Sequence, residues 1–340
     1  MKKYTPKSSF ILPAYKRRFL KESIDSILAQ TCRDFELVIV DDKSPEGLYE
    51  VIKEYKWEPT FEALPDGGRK WRVDGIPVRY YQNAENIGGK DLVAAWNHAM
   101  EYATGEWSVL ASDDDRYLPH FLEEMIGLSI KYPKCDLVHC RVAGINEIGE
   151  WTIVGEQRVE FETQVQHVYA RGVNRVYERM PDFMFKSAAL KAIGGFVSFP
   201  IAWYSDDATW MLLARNGVAC SPNVLFEFRT SGINLSARID NIAPKIAAGE
   251  EFRSWFKEFC TLLMSSTKED QFCLDGLLLK VNAKINDLSF YELSQVQGLL
   301  NWFKLLKGMD LTRTDRLKAL GHRYPRILNL YRLLPKIHLN

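Results

Sequence analysis

The chain has 340 residues, 46% hydrophobic and 26% charged, with 44 Lys and Arg balanced by 44 Asp and Glu. That balance excludes a globally basic nucleic-acid binder, and the apolar content excludes a charge-dominated disordered chain. No apolar run approaches the ~18 residues of a spanning helix, and the length suits one large domain with an appendage, or two domains.

The six cysteines (Cys32, Cys135, Cys140, Cys220, Cys260, Cys273) show no CxxC pair and no metal-finger spacing. Several lie in apolar runs, as buried free thiols do. The start, Met1-Lys2-Lys3-Tyr4-Thr5-Pro6, lacks the pattern of a signal peptide. A reducing, cytoplasmic setting is the expectation.

In chain order, Ser8 to Leu12 reads as a buried strand closed by Pro13, with a loop over Ala14-Tyr15-Lys16-Arg17-Arg18. Leu20, Ile24, Ile27 and Leu28 then share one helical face. Phe35 to Val40 is a near-continuous apolar run, as in a parallel strand covered on both sides, and it ends in Asp41-Asp42. A short helix is expected from Gly47 to Tyr55. Trp57 to Gly75 interrupts this pattern with Pro59, Pro65, Gly67, Gly68 and Gly75, and is read as a hairpin or a mobile loop. Ile76 to Tyr81 resumes as a strand, placed at a sheet edge or a strand start by Pro77. After a loop from Asn83 to Lys90, Leu92, Trp96, Ala99, Met100 and Ala103 form a helical face, with Gly105 expected as its C-terminal stop.

The next strand, Trp107 to Leu110, runs into Asp113-Asp114-Asp115. Three carboxylates at a strand end repel one another and call for a cation. Strand carboxyl ends are also where α/β sheets bind ligands, and a hard divalent ion on one or two carboxylates plus a phosphate would explain the cluster. The plain alternative is a solvated turn capping the helix that begins near Leu118. A strand is expected at Asp136 to Cys140. Gly144 to Val173 is read only as unassigned strands and loops. A second acidic pair, Asp206-Asp207, stands at a helix N-terminus, and a late strand covers Val224 to Arg229. Beyond about Ile239 the pattern is helical. Nine Lys and Arg between Lys304 and Lys336 face only Asp310 and Asp315 there. That is either a solvated face or, with Leu328 to Ile337 interleaved, a peripheral contact with an anionic inner membrane face.

Four stretches in this order carry a resemblance. They are Phe10 to Tyr15; Leu37 to Ser44; Asn86-Ile87-Gly88 with Ala103 to Trp107 and the acidic cluster; and Gly194-Gly195-Phe196 with Ser205-Asp206-Asp207 and Trp210. Over roughly residues 8 to 236 the chain resembles the inverting glycosyltransferases of family 2. The resemblance implies a doubly wound, mostly parallel sheet flanked by helices over residues 1–238, with a mainly helical region over 239–340. It implies that Pro13, Ala14 and Tyr15 hold the nucleotide base and ribose, that Asp42 accepts from the base, and that Asn86 and Gly88 line the same site. Asp113 would lie toward ribose and sugar. Asp114, with Asp115, would bind Mn2+ or Mg2+, and Arg229 would help hold the diphosphate. Asp206 would deprotonate the acceptor hydroxyl, with Asp207 as competitor for that role. The implied partners are a nucleoside-diphosphate sugar, UDP-linked by family habit, and a glycan or lipid-linked glycan acceptor in surface polysaccharide synthesis, with no nucleic acid. Two departures stand out: Ser112 where the family has the first Asp of its acidic motif, and Ser231 where it has a metal-proximal His. A sugar nucleotidyltransferase and a non-catalytic nucleotide-sugar-binding protein are the competing readings. Lys16-Arg17-Arg18 carries the charge of the first without its glycines; the retained Asp206-Asp207 argues against the second. His98 and His139 are expected to pack between elements.

Overall fold

The computed structural model describes residues 7–55, 62–64, 67–173, 176–232 and 241–323. Among these, twelve strands join one sheet. They are β1 (Ser8–Ala14), β2 (Phe35–Asp41), β3 (Glu62–Ala63), β4 (Arg69–Val73), β5 (Ile76–Gln82), β6 (Trp107–Leu110), β7 (Arg116–Tyr117), β8 (Leu137–Ile145), β9 (Trp151–Val154), β10 (Phe161–Glu162), β11 (Phe183–Lys186) and β12 (Val218–Arg229). Ten of them run in the order β10-β12-β8-β11-β6-β1-β2-β5-β4-β3, while β7 pairs with β12 and β9 with β8. The half formed by β6-β1-β2-β5 is parallel throughout. The other half is mixed, because β11 enters antiparallel to both β6 and β8.

The parallel strands are the apolar runs of the sequence. Phe10, Ile11, Leu12, Leu37, Val38, Ile39 and Val40 are all essentially inaccessible, since helices cover both faces. One face takes α1 (Leu20–Leu28), α2 (Leu48–Lys53) and, after α3 (Leu92–Met100) on the other, α4 (Phe121–Lys131). From β1 the chain runs outward to β2 and β5, then returns to the opposite side of β1 to form β6. The order reverses there, which opens a crevice at the carboxyl ends of β1 and β6.

One stretch resolves an alternative that the sequence left open, and two elements differ from the sequence reading. The interruption before β5 contains an antiparallel hairpin, β4 to β5, turned by Asp74 and Gly75 with φ of 48° and 78°. Asp-Gly is a favoured type I′ pair, with both residues left-handed. Residues 56–61 and 65–66 of that interruption lie outside the described residues. Gly105 is not a left-handed helix stop: a Cβ there would lie 2.6 Å from the Ser8 carbonyl carbon, so glycine lets the loop pass against β1. The unassigned stretch after Gly144 completes β8 and forms β9, β10 and a helix, α5 (Gln164–Gly172). Its N-terminus is a capping box, with Thr163 and Gln166 each satisfying the other's backbone N–H.

After β11 come α6 (Ser187–Ala192) and α7 (Ser205–Leu213). Trp210 of α7 is fully buried and stacks on Phe183 of β11 with ring centroids 4.9 Å apart. The C-terminal helices are α8 (Ile242–Cys260), α9 (Lys268–Leu274), α10 (Leu277–Ser294), α11 (Leu299–Lys307) and α12 (Arg313–Arg323). Phe252, Phe256, Val281 and Ile285 pack with Val168 of α5 and Ala208 and Met211 of α7 in one apolar cluster. The boundary expected at residue 238 and the basic end after Arg323 lie outside the described residues. No described helix is long and apolar enough to cross a membrane.

Candidate active site

Trp107 to Leu110 are buried, and the Ala111 N–H still donates to Ile11 O at 2.7 Å, so β6 pairs with β1 to its end. The chain then leaves the sheet, held by the Ser23 hydroxyl of α1 on Ser112 O at 2.7 Å. The next three carboxylates are buried and take different partners. Asp113 Oδ2 accepts the backbone N–H groups of Tyr15 and Lys16, both at 2.7 Å. Asp114 Oδ2 meets the Lys16 ammonium at 2.7 Å, and its Oδ1 accepts from the Ser112 hydroxyl at 2.5 Å. Asp115 Oδ1 accepts the Arg229 N–H at 2.8 Å. Burial pushes Asp113 up to about 6 against the pull of Lys16. Burial, then Asp114, raises Asp115 well above the carboxylate range. Burial alone would lower Lys16, but Asp113 and Asp114 outweigh it and hold the ammonium charged.

This cluster does not form a metal cage of protein ligands alone. Among the described residues no group of three or more His, Cys, Asp or Glu is arranged to hold an ion. Yet the Lys16 ammonium stands 2.7 Å from Asp114 and 3.8 Å from Asp113, so a cation is already drawn to this point. One carboxylate completed by substrate phosphates is a common way to bind Mg2+ or Mn2+, and the residues fit that arrangement.

Asp42, just past β2, accepts from Asn83 Nδ2 at 2.7 Å and from the N–H groups of Ile87 and Gly88 at 2.9 and 2.7 Å. A Cβ on Gly88 would lie 2.9 Å from Asp42 Oδ2, so the loop can close on the carboxylate only with glycine there. Asn86 Oδ1 accepts the Gly89 N–H and tightens the same loop. Asp41 faces the other way, to the Tyr80 hydroxyl at 2.6 Å and Gln82 at 2.9 Å. Between these loops Pro13 and Ala14 end β1, and the Tyr15 ring is 41% exposed at the crevice. Arg229 is fully buried. Its Nε donates to Asp114 O at 2.8 Å, its Nη2 to Glu22 at 2.6 Å, and its guanidinium lies 4.2 Å from the Phe19 ring centroid. Ser231 is buried.

Asp206 and Asp207 occupy the first turn of α7, where the helix dipole favours carboxylates. Their side chains are 25% and 26% exposed. Arg171 of α5 donates to Asp206 Oδ2 at 2.8 Å and lies 3.0 Å from Asp207 Oδ1. Burial and the neighbouring Asp207 push Asp206 up to about 6, with Arg171 opposing. A carboxylate poised there can take a proton from a hydroxyl near neutral pH.

The family model described as Glycosyl transferase family 2 matches residues 9–209, more than half of the chain. The chain belongs to glycosyl transferase family 2. Two curated proteins of Bacillus subtilis (strain 168) are similar to it. The putative glycosyltransferase EpsE is 30% identical over 145 residues, which cover 42% of this chain and 46% of EpsE. The putative teichuronic acid biosynthesis glycosyltransferase TuaG is 27% identical over 128 residues, covering 37% and 43%. The chain thus spans less than half the length of either. Among solved structures, S. aureus TarS residues 1–349 in complex with UDP-GlcNAc superposes with a TM-score of 0.54 at 16% identity, covering 95% of this chain and 83% of that one. The mannosyltransferase PcManGT of Pyrobaculum calidifontis, in complex with GDP-Man and Mn2+, gives 0.53 at 17%, covering 98% and 89%. At such identities the likeness shows the fold.

For this family 2 member, the structure gathers Tyr15, Asp113, Asp114 and Asp115 at the end of β6, and Asp42, Asn86 and Gly88 at the end of β2. Two charged partners escaped the sequence reading. Lys16 was visible only as part of a basic run, without its seat on Asp114. Arg171 lay in the unassigned stretch, although Thr163-x-x-Gln166 announces the helix that carries it. His139 packs on Phe183, with ring centroids 4.7 Å apart, and also lies 3.5 Å from the buried carboxylate of Asp182.

Proposed function

We propose that the chain is a metal-dependent, inverting glycosyltransferase that moves a sugar from a UDP-linked donor to an acceptor hydroxyl of a glycan or lipid-linked glycan in surface polysaccharide synthesis. The observation that carries this reading is the closure of β1 on β6, with Asp113 taking two N–H groups of the loop after β1 and Lys16 seated on Asp114. With those N–H groups taken by Asp113, an ammonium and carboxylates stand at the switch point of a family 2 sheet, where a nucleoside diphosphate would lie. TarS complexes with UDP-GlcNAc and with UDP, and the PcManGT complex with GDP-Man and Mn2+, support the ligand class.

In this reading the exposed Tyr15 ring is a platform for the base, and Asp42 shapes the loop that receives it and accepts its N–H. Asp114 would hold the divalent ion, whose charge would stabilise the diphosphate as it leaves. Asp115 and Arg229, expected at the ion and at the diphosphate, are both buried, and in this reading they act behind Asp114: the Arg229 N–H and Nε fix the Asp115 carboxylate and the Asp114 carbonyl. On the acceptor side, Asp206 takes the hydroxyl proton as that oxygen bonds to the anomeric carbon and the carbon–phosphate oxygen bond breaks. The sugar passes through an oxocarbenium-like state, attacked on the face opposite the leaving group. Asp207 can serve in the same role. Catalysis would belong to residues 1–238, with the helices of 239–340 bracing α5 and α7. A cytoplasmic protein lying on the inner membrane face through its basic end is the setting this function suits.

Thermal-shift titration with UDP, GDP, CDP and dTDP, each with and without Mn2+, tests the reading. Ligands that bind the folded state raise Tm by mass action. A Mn2+-dependent shift with UDP alone is expected. A shift with GDP alone would move the donor to GDP-sugars, and no shift with any nucleotide would overturn the reading.

A further inference from the structure

A buried run of charge lies behind the aspartates of α7. Arg171 is 5% exposed, yet it meets three carboxylates. Nη1 donates to Glu178 at 2.9 Å, Nη2 to Asp206 at 2.8 Å, and Nε lies 3.0 Å from Asp207. Glu178 is held from its other oxygen by Arg158 at 2.6 Å, and Arg158 also grips Glu162 with two hydrogen bonds of 2.7 Å. Buried ion pairs return little net stability, because desolvation offsets the attraction. This network has one end that reaches solvent. The side chains of Glu178 and Glu162 are 4% and 5% exposed, against 25% and 26% for Asp206 and Asp207.

We propose that Arg171 is the positioning residue of the acceptor side, its planar guanidinium fixing Asp206 and Asp207 together so that the exposed edge of the Asp206 carboxylate meets the acceptor hydroxyl. The inference rests on the reading of that pair as the acceptor base. A guanidinium holds two carboxylates in a defined geometry that an ammonium cannot reproduce. Arg171 claims Oδ2 of Asp206 and stands at Oδ1 of Asp207, and the Asp207 N–H also donates to the Asp206 carboxylate, so that carboxylate is held from two sides while its side chain stays 25% exposed. The backbone of the pair is held separately. Tyr204, in the left-handed region at φ 71°, launches α7 and stacks on Phe252 of α8 with ring centroids 4.7 Å apart. Loss of Arg171 would therefore free the two side chains while the start of α7 stays in place.

The charged groups acting on Asp206 are Asp207 on its own helix, Arg171 from α5 and Arg179 from the loop before β11. Beyond Arg171 stand Glu178 and Asp182. Burial would raise Glu178, but His139, Arg171 and Arg158 bring it down to about 2, so it remains an anion that anchors Arg171.

The test compares Arg171→Met, Arg171→Lys, Asp206→Asn and Asp207→Asn with the unaltered chain. The assay is UDP release, with water as acceptor and Mn2+ present, from whichever of UDP-glucose, UDP-galactose and UDP-N-acetylglucosamine the unaltered chain hydrolyses. Arg171→Met is expected to lose roughly a hundredfold in kcat with donor KM unchanged. Its acid limb should move to higher pH, Arg171→Lys should retain more turnover, and added guanidinium ion should restore part of the loss. A folded Arg171→Met with kcat within about threefold and an unmoved acid limb would overturn the proposal. Should Arg171→Met fail to fold, Glu178→Gln takes its place: kcat falls at constant donor KM, or the proposal fails. If Asp206→Asn and Asp207→Asn both keep turnover, the base reading itself is lost. If Asp206→Asn is inactive and Arg171→Met is not, only the positioning role is lost.

Discussion

The two aspartate clusters of this protein are built on opposite principles. At the end of β6, Asp114 is met by a lysine ammonium on a flexible stem, whose side chain is 26% exposed. At the start of α7, Asp206 and Asp207 are met by an arginine whose side chain is 4% exposed and which the buried Glu178 holds in turn. A lysine is a movable point charge, whereas an arginine is a rigid fork. The first arrangement suits a place where a metal–diphosphate must come and go. The second suits a base that must keep one orientation through each turnover.

The largest expected effect lies on the acceptor side. Asp206→Asn should lower kcat by about 10²- to 10⁴-fold, the usual worth of a general base, while UDP binding by calorimetry stays unchanged. Loss of UDP affinity instead would move Asp206 to the donor side and break the comparison. The pH profile sharpens it. Asp206 must be ionised to take a proton, and burial with Asp207 pushes it up to about 6. Turnover should therefore be full above that pH and fall as pH drops through about 6. A profile flat to pH ~4, where an unperturbed carboxylate titrates, would contradict it.

Donor-side changes should be smaller. Gly88→Ala puts a Cβ 2.9 Å from Asp42 Oδ2 and should weaken UDP roughly tenfold, about 1.4 kcal/mol, with kcat at saturating donor little altered. Unchanged affinity would remove Asp42 and its loop from the nucleotide site. Lys16→Met should raise affinity for Mn2+ in the absence of nucleotide by a few fold, since the ammonium no longer competes for Asp114. Electron paramagnetic resonance of free Mn2+ reads this directly, and an unchanged affinity would mean that Lys16 and the ion do not share a position.

Much of the fold and its acidic groups could be read from the chain because parallel strands, buried on both faces, write themselves as apolar runs. Phe35 to Val40 and Trp107 to Leu110 are such runs, and the polar residues just past their carboxyl ends reach the crevice. The aspartates at 41–42 and 113–115 mark those two strand ends, and those at 206–207 mark a helix start. Their partners could not be read. Arg171 and Asp206 are joined across 35 residues, and nothing local in either stretch reports that pairing. The mixed half is the least legible, since Leu137–Ile145 continues as a strand through Ala143 and Gly144, where composition suggests a loop. Short-range signals did exist: Asp74-Gly75 for a hairpin, and Thr163 to Gln166 for the start of α5.

The division between a donor side and an acceptor side is tested most directly by calorimetry of UDP with Mn2+ on Asp114→Asn and Asp206→Asn. Asp114→Asn should lose the Mn2+-dependent part of UDP binding, and Asp206→Asn should bind as the unaltered chain does. Full Mn2+-dependent binding by Asp114→Asn, or its loss in Asp206→Asn, would contradict the division.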